Sequence, residues 1–288
     1  MDQGSVQGPV QNDELVRHQL VGVRHPRIPE RGGHVDDQGG APRRERALGD
    51  DVGVRLRDRV REARIPLAGP YSIGYVNVMK NRAAAWTEPQ PELLRGGGIA
   101  AIVQSGATYS YTMISEPRAG FTLVVHPGQE LDLTVADYMD YALCSPRTRV
   151  IGLFLEAIRD PVGFRTALER ADRAGVPVVV LHVGRSQAGA RHVLSHAGKL
   201  AGSTGALDAV FRHHGVFRVE TMEEWWASLL LFDTDRRPSK GDAVAIVDSG
   251  GQRALIADHA SRIDLPWTQI SEHTRNSLAE TLNATLNP

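Results

Sequence analysis

The chain has 288 residues, enough for two domains or for one with appendages. Its 33 basic and 34 acidic residues give a net charge of −1, which offers no global argument for binding nucleic acid or a membrane surface. The single cysteine, Cys144, excludes an intrachain disulfide and fits a reducing compartment, so a cytoplasmic location is expected. Apolar runs such as VPVVVLHV at 176–183 are too short to span a bilayer. The first fifteen residues, MDQGSVQGPVQNDEL, lack the basic start and apolar core of a signal peptide.

Residues 1–64 contain no lysine and no aromatic residue, and stretches such as RGGHVDDQGGAPRRERALGDD follow neither a helical nor a strand period. So little apolar surface cannot offset the entropy of ordering, and this region is expected to be of low order, with a short helix near 54–63. A miscalled start or an upstream frameshift would produce the same composition. From residue 96 the pattern becomes regular. Apolar runs of four to eight residues recur at 99–103, 121–125, 149–156, 176–183, 216–219 and 243–248, rich in Val and Ile and without alternation. Strands covered on both faces of a parallel sheet read this way. Between them lie helical segments at 106–118, 134–144, 161–174, 203–213 and 221–232. The segment 160–175 carries the punctuation of a helix, with Asp160 as cap, Pro161 in the first turn and Gly175 at the end. The alternation predicts a doubly wound α/β domain whose strand-to-helix loops gather at the carboxyl edge of the sheet. RRPSKGD at 236–242 reads as a linker, and the last fifty residues supply one strand–helix unit of a domain that reads as cut short.

Three loops bear residues suited to chemistry. The strand 99–103 runs into Gln104-Ser105-Gly106-Ala107, where a close backbone approach and unpaired first-turn amides suit an anion. The bland alternative is that Ser105 merely caps the helix. Glu156 ends the strand 149–156 at the edge where ligands bind; its alternative is a surface charge or an ion pair with Arg159. His196 stands in LSHAGKLAGS, read as a loop of small residues with room around an imidazole. His192 and His196 have the spacing of two zinc ligands on a helix, but no third ligand is evident and no metal is expected. An anion cradle, a carboxylate that orients a ring, and the imidazole itself make a phosphoryl-relay set.

The ordered motifs GGGIAAIVQSGA, RTRVIGLFLEAIRD, VPVVVLHVGRSQAGARHVLSHAGKLAGS and AVAIVDSGGQRALIADHA resemble the NDP-forming acyl-CoA synthetases. That family comprises the ADP-forming acetate–CoA ligases and, more distantly, the α subunit of succinyl-CoA synthetase. The resemblance runs from about residue 65 to the end. It implies a flavodoxin-like domain at 96–236, a remnant of a CoA-binding Rossmann domain and linker at 65–95, and the start of a second flavodoxin-like unit at 237–288. It implies that an acyl phosphate forms from acyl-CoA and phosphate, and that its phosphoryl group passes through His196 to a nucleoside diphosphate. Glu156 is implied as the partner of His196, and Gln104, Ser105, Gly106 and Ala107 as the phosphate cradle. Gly69-Pro70-Tyr71-Ser72 replaces the family's GPNC-like loop, leaving Tyr71 and Ser72 as weak CoA contacts, and His126 and Gln129 replace a Ser and an Asn of the family. CoA, phosphate and a small carboxylic acid are the implied ligands, ATP or ADP entering only through an ATP-grasp domain or subunit; an oligomer is compatible. The competing expectation is a non-catalytic binding module or an inactive remnant. A receiver-like signalling domain is disfavoured, because the paired acids after the first strand are missing.

Overall fold

The computed structural model describes residues 50–85, 94–112, 116–197, 204–234 and 242–282. In chain order its elements are α1 (Asp50–Glu62), β1 (Gly74–Asn77), β2 (Arg82–Ala85), β3 (Gly96–Val103), α2 (Gly106–Thr112), β4 (Phe121–His126), α3 (Val135–Leu143), β5 (Val150–Leu155) and α4 (Pro161–Arg173). There follow β6 (Val178–His182), α5 (Gln187–Ala197), α6 (Thr204–His213), β7 (Phe217–Val219), α7 (Met222–Phe232), α8 (Gly250–Arg262) and α9 (Glu272–Leu282).

The runs of Val and Ile form the parallel core of one sheet, ordered β2-β1-β4-β3-β5-β6-β7. Both faces of β3 are buried, which explains why its sequence does not alternate. Ala100 and Ile102 join β5, β6, α3, α4 and Phe211 of α6 on one face. Ile99, Ala101 and Val103 pack with Tyr109 of α2 and with Trp225 and Leu229 of α7 on the other. The expected doubly wound α/β arrangement is therefore present, and α4 has its expected ends. The Asp160 side chain accepts from the Gly163 N–H at 2.9 Å, and Gly175 leaves the helix at φ +65°.

The structure departs from the sequence reading in several places. Residues 74–85, expected in a separate remnant, form a hairpin whose β1 pairs antiparallel with β4, so the sheet is mixed and continuous across 95/96. Four-residue strands carry too little pattern to be read from sequence. The run 243–248 is not a strand: only Ala243 makes a bridge, to Trp267, and Ile246 is 95% exposed. A parallel strand is stabilised by its neighbours, and this segment has none beyond that bridge among the described residues. The helix expected at 106–118 does not reach 118: Gly106–Thr112 are helical, 116–119 form a turn, and 113–115 lie outside the described residues. The helix expected near 54–63 begins at Asp50, and its Arg61 pairs with Asp132 at 3.1 Å. Residues 1–49 and most of the linker at 236–242 lie outside the described residues. No described helix is long and apolar enough to cross a membrane.

The glycine run before β3 has a packing cause. A methyl group at Gly97 would lie 2.4 Å from the Gly120 backbone, where the chain enters β4. Gly97→Ala should therefore destabilise by about 1–3 kcal/mol in a urea titration, because backbone rather than a flexible side chain must give way. Gly205→Ala, in the first turn of α6 with nothing within 4 Å, should be neutral or stabilising by up to about 1 kcal/mol.

Candidate active site

Each parallel strand delivers its following loop to one edge of the sheet. At that edge Gln104 closes β3 and is 5% exposed. Its Nε2 donates to Glu130 Oε1 and, at 2.8 Å, to the Ala157 carbonyl. Its Oε1 accepts from the backbone N–H groups of Glu156 at 2.6 Å and Ala157 at 3.0 Å. A primary amide has two donor hydrogens and two lone pairs, and all four are occupied. Gln104 is thus a brace between β3, the exit of β5 and the loop before α3, its side chain fully engaged within the protein. The buried Glu130 extends the brace, its Oε2 accepting from the Val135 N–H at 3.1 Å where α3 begins.

Ser105 follows directly. Its Oγ accepts from the Thr108 N–H at 3.3 Å and the Thr108 hydroxyl at 3.0 Å, which makes it the cap of α2. Its own proton and the first-turn N–H groups of Gly106 and Ala107 are the donors available to an anion. Glu156, half-buried, stands just past β5 and is bound through its N–H to the residue preceding Ser105. One side chain thus ties the backbone before Ser105 to the backbone at Glu156.

The Gly69–Ser72 segment straps across the β4–α3 loop. The Gln129 N–H donates to the Pro70 carbonyl at 2.8 Å and the Leu131 N–H to Gly69 at 2.9 Å. The Ile73 N–H donates to His126 Nδ1 at 2.8 Å, so the ring proton sits on Nε2, which faces the Gln104 carbonyl at 3.2 Å. The Ser72 hydroxyl donates to the His126 carbonyl and accepts from the Gly74 N–H at 2.9 Å. Ser72 therefore ties the strap to the end of β4, while Tyr71 is 69% exposed at φ +56°.

His196 was expected in a loop, but its backbone lies in the last turn of α5. Ser186 caps that helix, accepting the Gly189 N–H at 3.0 Å, and the alanines favour it against the cost of Gly189. A methyl on Gly184 would meet Val193 Cγ2 at 2.6 Å and one on Gly189 would meet Gly184 Cα at 3.1 Å, so α5 folds back against the turn that leaves β6. The His196 side chain and the small residues 198, 201 and 202 lie outside the described residues.

Sequence reasoning passed over His182, the last residue of β6. It shares a sheet face with Val178 and Val180, and a polar residue at that period was the available signal. The residue is 7% exposed, and its Nδ1 is buried with no partner. Burial first, then the Arg185 charge, lower its pKa; Asp208 opposes and Arg218 adds. Arg218 pairs with Asp208 at 3.0 Å and Glu220 at 2.8 Å, and Arg185 pairs with Glu220 at 2.6 Å.

Two outcomes follow from these contacts. Gln104→Leu leaves two buried N–H groups and a buried carboxylate short of partners, and should cost about 3 kcal/mol or more in a denaturant titration. Because the folded pKa of His182 is depressed, its contribution to stability is full above the unfolded value of about 6.5 and is lost as pH falls from there through the folded value. The melting temperature of the native chain should therefore drop over that window by more than that of His182→Phe.

With the geometry in hand, comparison with known proteins is informative. Residues 96–232 match the succinyl-CoA ligase-like flavodoxin domain. An ADP-forming acetate–CoA ligase I of Archaeoglobus fulgidus is 32% identical over 77% of this chain, which spans 32% of that protein. The α subunit of an ADP-forming acetate–CoA ligase II of Pyrococcus furiosus is 32% identical over 74% of this chain, which spans 46% of it. Among solved structures, a dinucleotide-forming acetyl-coenzyme A synthetase 1 of Ca. Korarchaeum cryptofilum, in complex with phosphate and ADP, superposes with a TM-score of 0.69. Its sequence is 24% identical, covering 78% of this chain and 49% of that one, and the likeness establishes the fold. Residues 96–232 thus carry the succinyl-CoA ligase-like flavodoxin domain, and over about three quarters of its length the chain is similar to ADP-forming acetate–CoA ligases, of which it spans less than half.

Proposed function

We propose that the chain is the phosphoryl-relay part of an NDP-forming acyl-CoA synthetase, with 96–236 as its ligase domain and 237–288 as the start of a second flavodoxin-like unit. In this reading phosphate displaces CoA from an acyl-CoA. The His196 imidazole then attacks the acyl phosphate: an N–P bond forms, the P–O bond to the acyl group breaks, and a small carboxylate leaves. The phosphoryl group next passes from nitrogen to the terminal oxygen of a nucleoside diphosphate held by an ATP-grasp domain or subunit. Phosphoryl transfer depends on position and charge more than on covalent assistance. The chain's own contributions are accordingly few. Ser105 Oγ–H and the Gly106 and Ala107 amides receive the phosphoryl oxygens, and the Glu156 carboxylate fixes the tautomer of the imidazole. CoA contact on this chain falls to the exposed Tyr71.

The observation that carries the reading is the Gln104 brace, which joins the Ser105–Ala107 turn to Glu156 at the carboxyl edge of the sheet. A non-catalytic binding module is the second reading. It is favoured by the internal use of Gln104 and Ser72, two side chains expected to meet ligand.

Incubation with phosphoryl-labelled acetyl phosphate should yield an acid-labile phosphohistidine that is absent from His196→Ala and reduced about tenfold or more in Glu156→Gln. Equal labelling of the His196→Ala variant overturns the assignment. Calorimetric titration with CoA separates the readings further: micromolar binding fits the synthetase, and no heat at all fits the inert module.

A further inference from the structure

The β6–β7 half of the carboxyl edge is chemically incomplete. At the end of β6 the His182 ring is more than nine-tenths buried, and its Nδ1 has no partner. Three residues further on, the Arg185 Nε is also buried without a partner, although its Nη1 is engaged by Glu220. The acceptors nearby are committed. Glu220 takes Arg185 and Arg218, and Asp208 takes Arg218, which lies on the neighbouring strand in register with Val180. The guanidinium Nε is always a donor, and a neutral imidazole becomes one at Nδ1 by choice of tautomer. Two buried donors on one strand exit, each costly to leave unmatched, call for an acceptor oxygen that none of the described residues supplies.

We propose that His182 Nδ1–H and Arg185 Nε–H form a subsite for one oxygen of a phosphate or carboxylate anion at the carboxyl end of β6. The lowered pKa of His182 agrees with this chemistry, since the neutral ring is the form that donates from one nitrogen only. The site stands beside the proposed active edge, because His182 pairs in register with Leu155, the residue before Glu156. Access is from the solvent side of the guanidinium, since the Arg185 side chain is 30% exposed. Treating these anions as reactants rests on the function proposed above, but their binding here does not.

The test is nuclear magnetic resonance on the full chain with isotope-labelled histidine, the His182 ring signal being assigned by its loss in His182→Gln. Titration with inorganic phosphate, with acetate, and with sodium chloride at matched ionic strength separates the two anion sources from salt alone. Phosphate or acetate should move the His182 signal saturably, and the one binding more tightly identifies the ligand class. Arg185→Lys keeps the charge but removes Nε–H, and should weaken that binding about tenfold, whereas Arg165→Lys, on the exposed face of α4, should not. The titration should persist in His196→Ala, so failure of the phosphohistidine assay leaves it standing. A signal unmoved by either anion, moved equally by chloride, or titrating in Arg185→Lys as in the native chain overturns the subsite.

Discussion

The geometry of the candidate site depends on one buried amide. Gln104 stands where the central strand leaves the sheet, and its side chain ties that exit to the exit of β5 and to the loop entering α3. Four internal hydrogen bonds on one side chain contribute modestly each, about 1 kcal/mol, but leaving any of them unmade in a dry environment costs more. The consequence is positional. The backbone at Ser105 and the backbone at Glu156 cannot drift apart without stranding buried polar groups, so two strand exits are held as one piece. His126 repeats the device on the β4 side, reading a backbone N–H with one ring nitrogen and the Gln104 carbonyl with the other.

How much of this the amino-acid sequence disclosed follows from where each signal is stored. β3 to β6 were legible because covering both faces of a strand with apolar helices leaves an unbroken apolar run, a feature local to the segment. The hairpin of β1 and β2 was not, since four residues are too few to show a period. The segment 243–248 carries the same local pattern as β3, and misleads because a strand exists only through its partners. α5 was misread as a loop when its small residues were weighed as flexible. Alanine is the best helix former, and a serine cap outweighed one glycine.

The site residues divide in the same way. Ser105 and Glu156 were placed correctly at strand exits because position in the strand–helix alternation is a local property. The internal bonds of Gln104 and the Ser72 bond to the His126 carbonyl were not legible, because these partners lie 26 to 54 residues away in the chain. No spacing rule links a glutamine to Glu130 or a serine to the carbonyl of residue 126. His182 was hidden for another reason. An apolar run absorbs one histidine without losing its strand character, and only the period-two count shows that the ring faces the same packed layer as Val178 and Val180.

The carboxyl edge is therefore built in two halves of opposite character. Around β3 and β5 the brace is saturated: Gln104 has no capacity left, which holds in place the Ser105 turn and its remaining donors. Around β6 and β7 two buried donors stay unmatched amid a ring of Arg185, Arg218, Asp208 and Glu220 that balances its own charge. A relay suits that division. Transferring a phosphoryl group needs one fixed set of donors, whose position is independent of the ligand, and a second surface that gains bonds only when an anion arrives. Saturation supplies the first, because a donor already held in place needs no reorganisation at the moment of transfer. Unsatisfied buried donors supply the second, because a destabilised empty state enlarges the difference in free energy between empty and filled. α5, which carries His196, packs against Gly184 in the turn between His182 and Arg185, so the histidine-bearing helix leans on the half of the edge that responds to an anion.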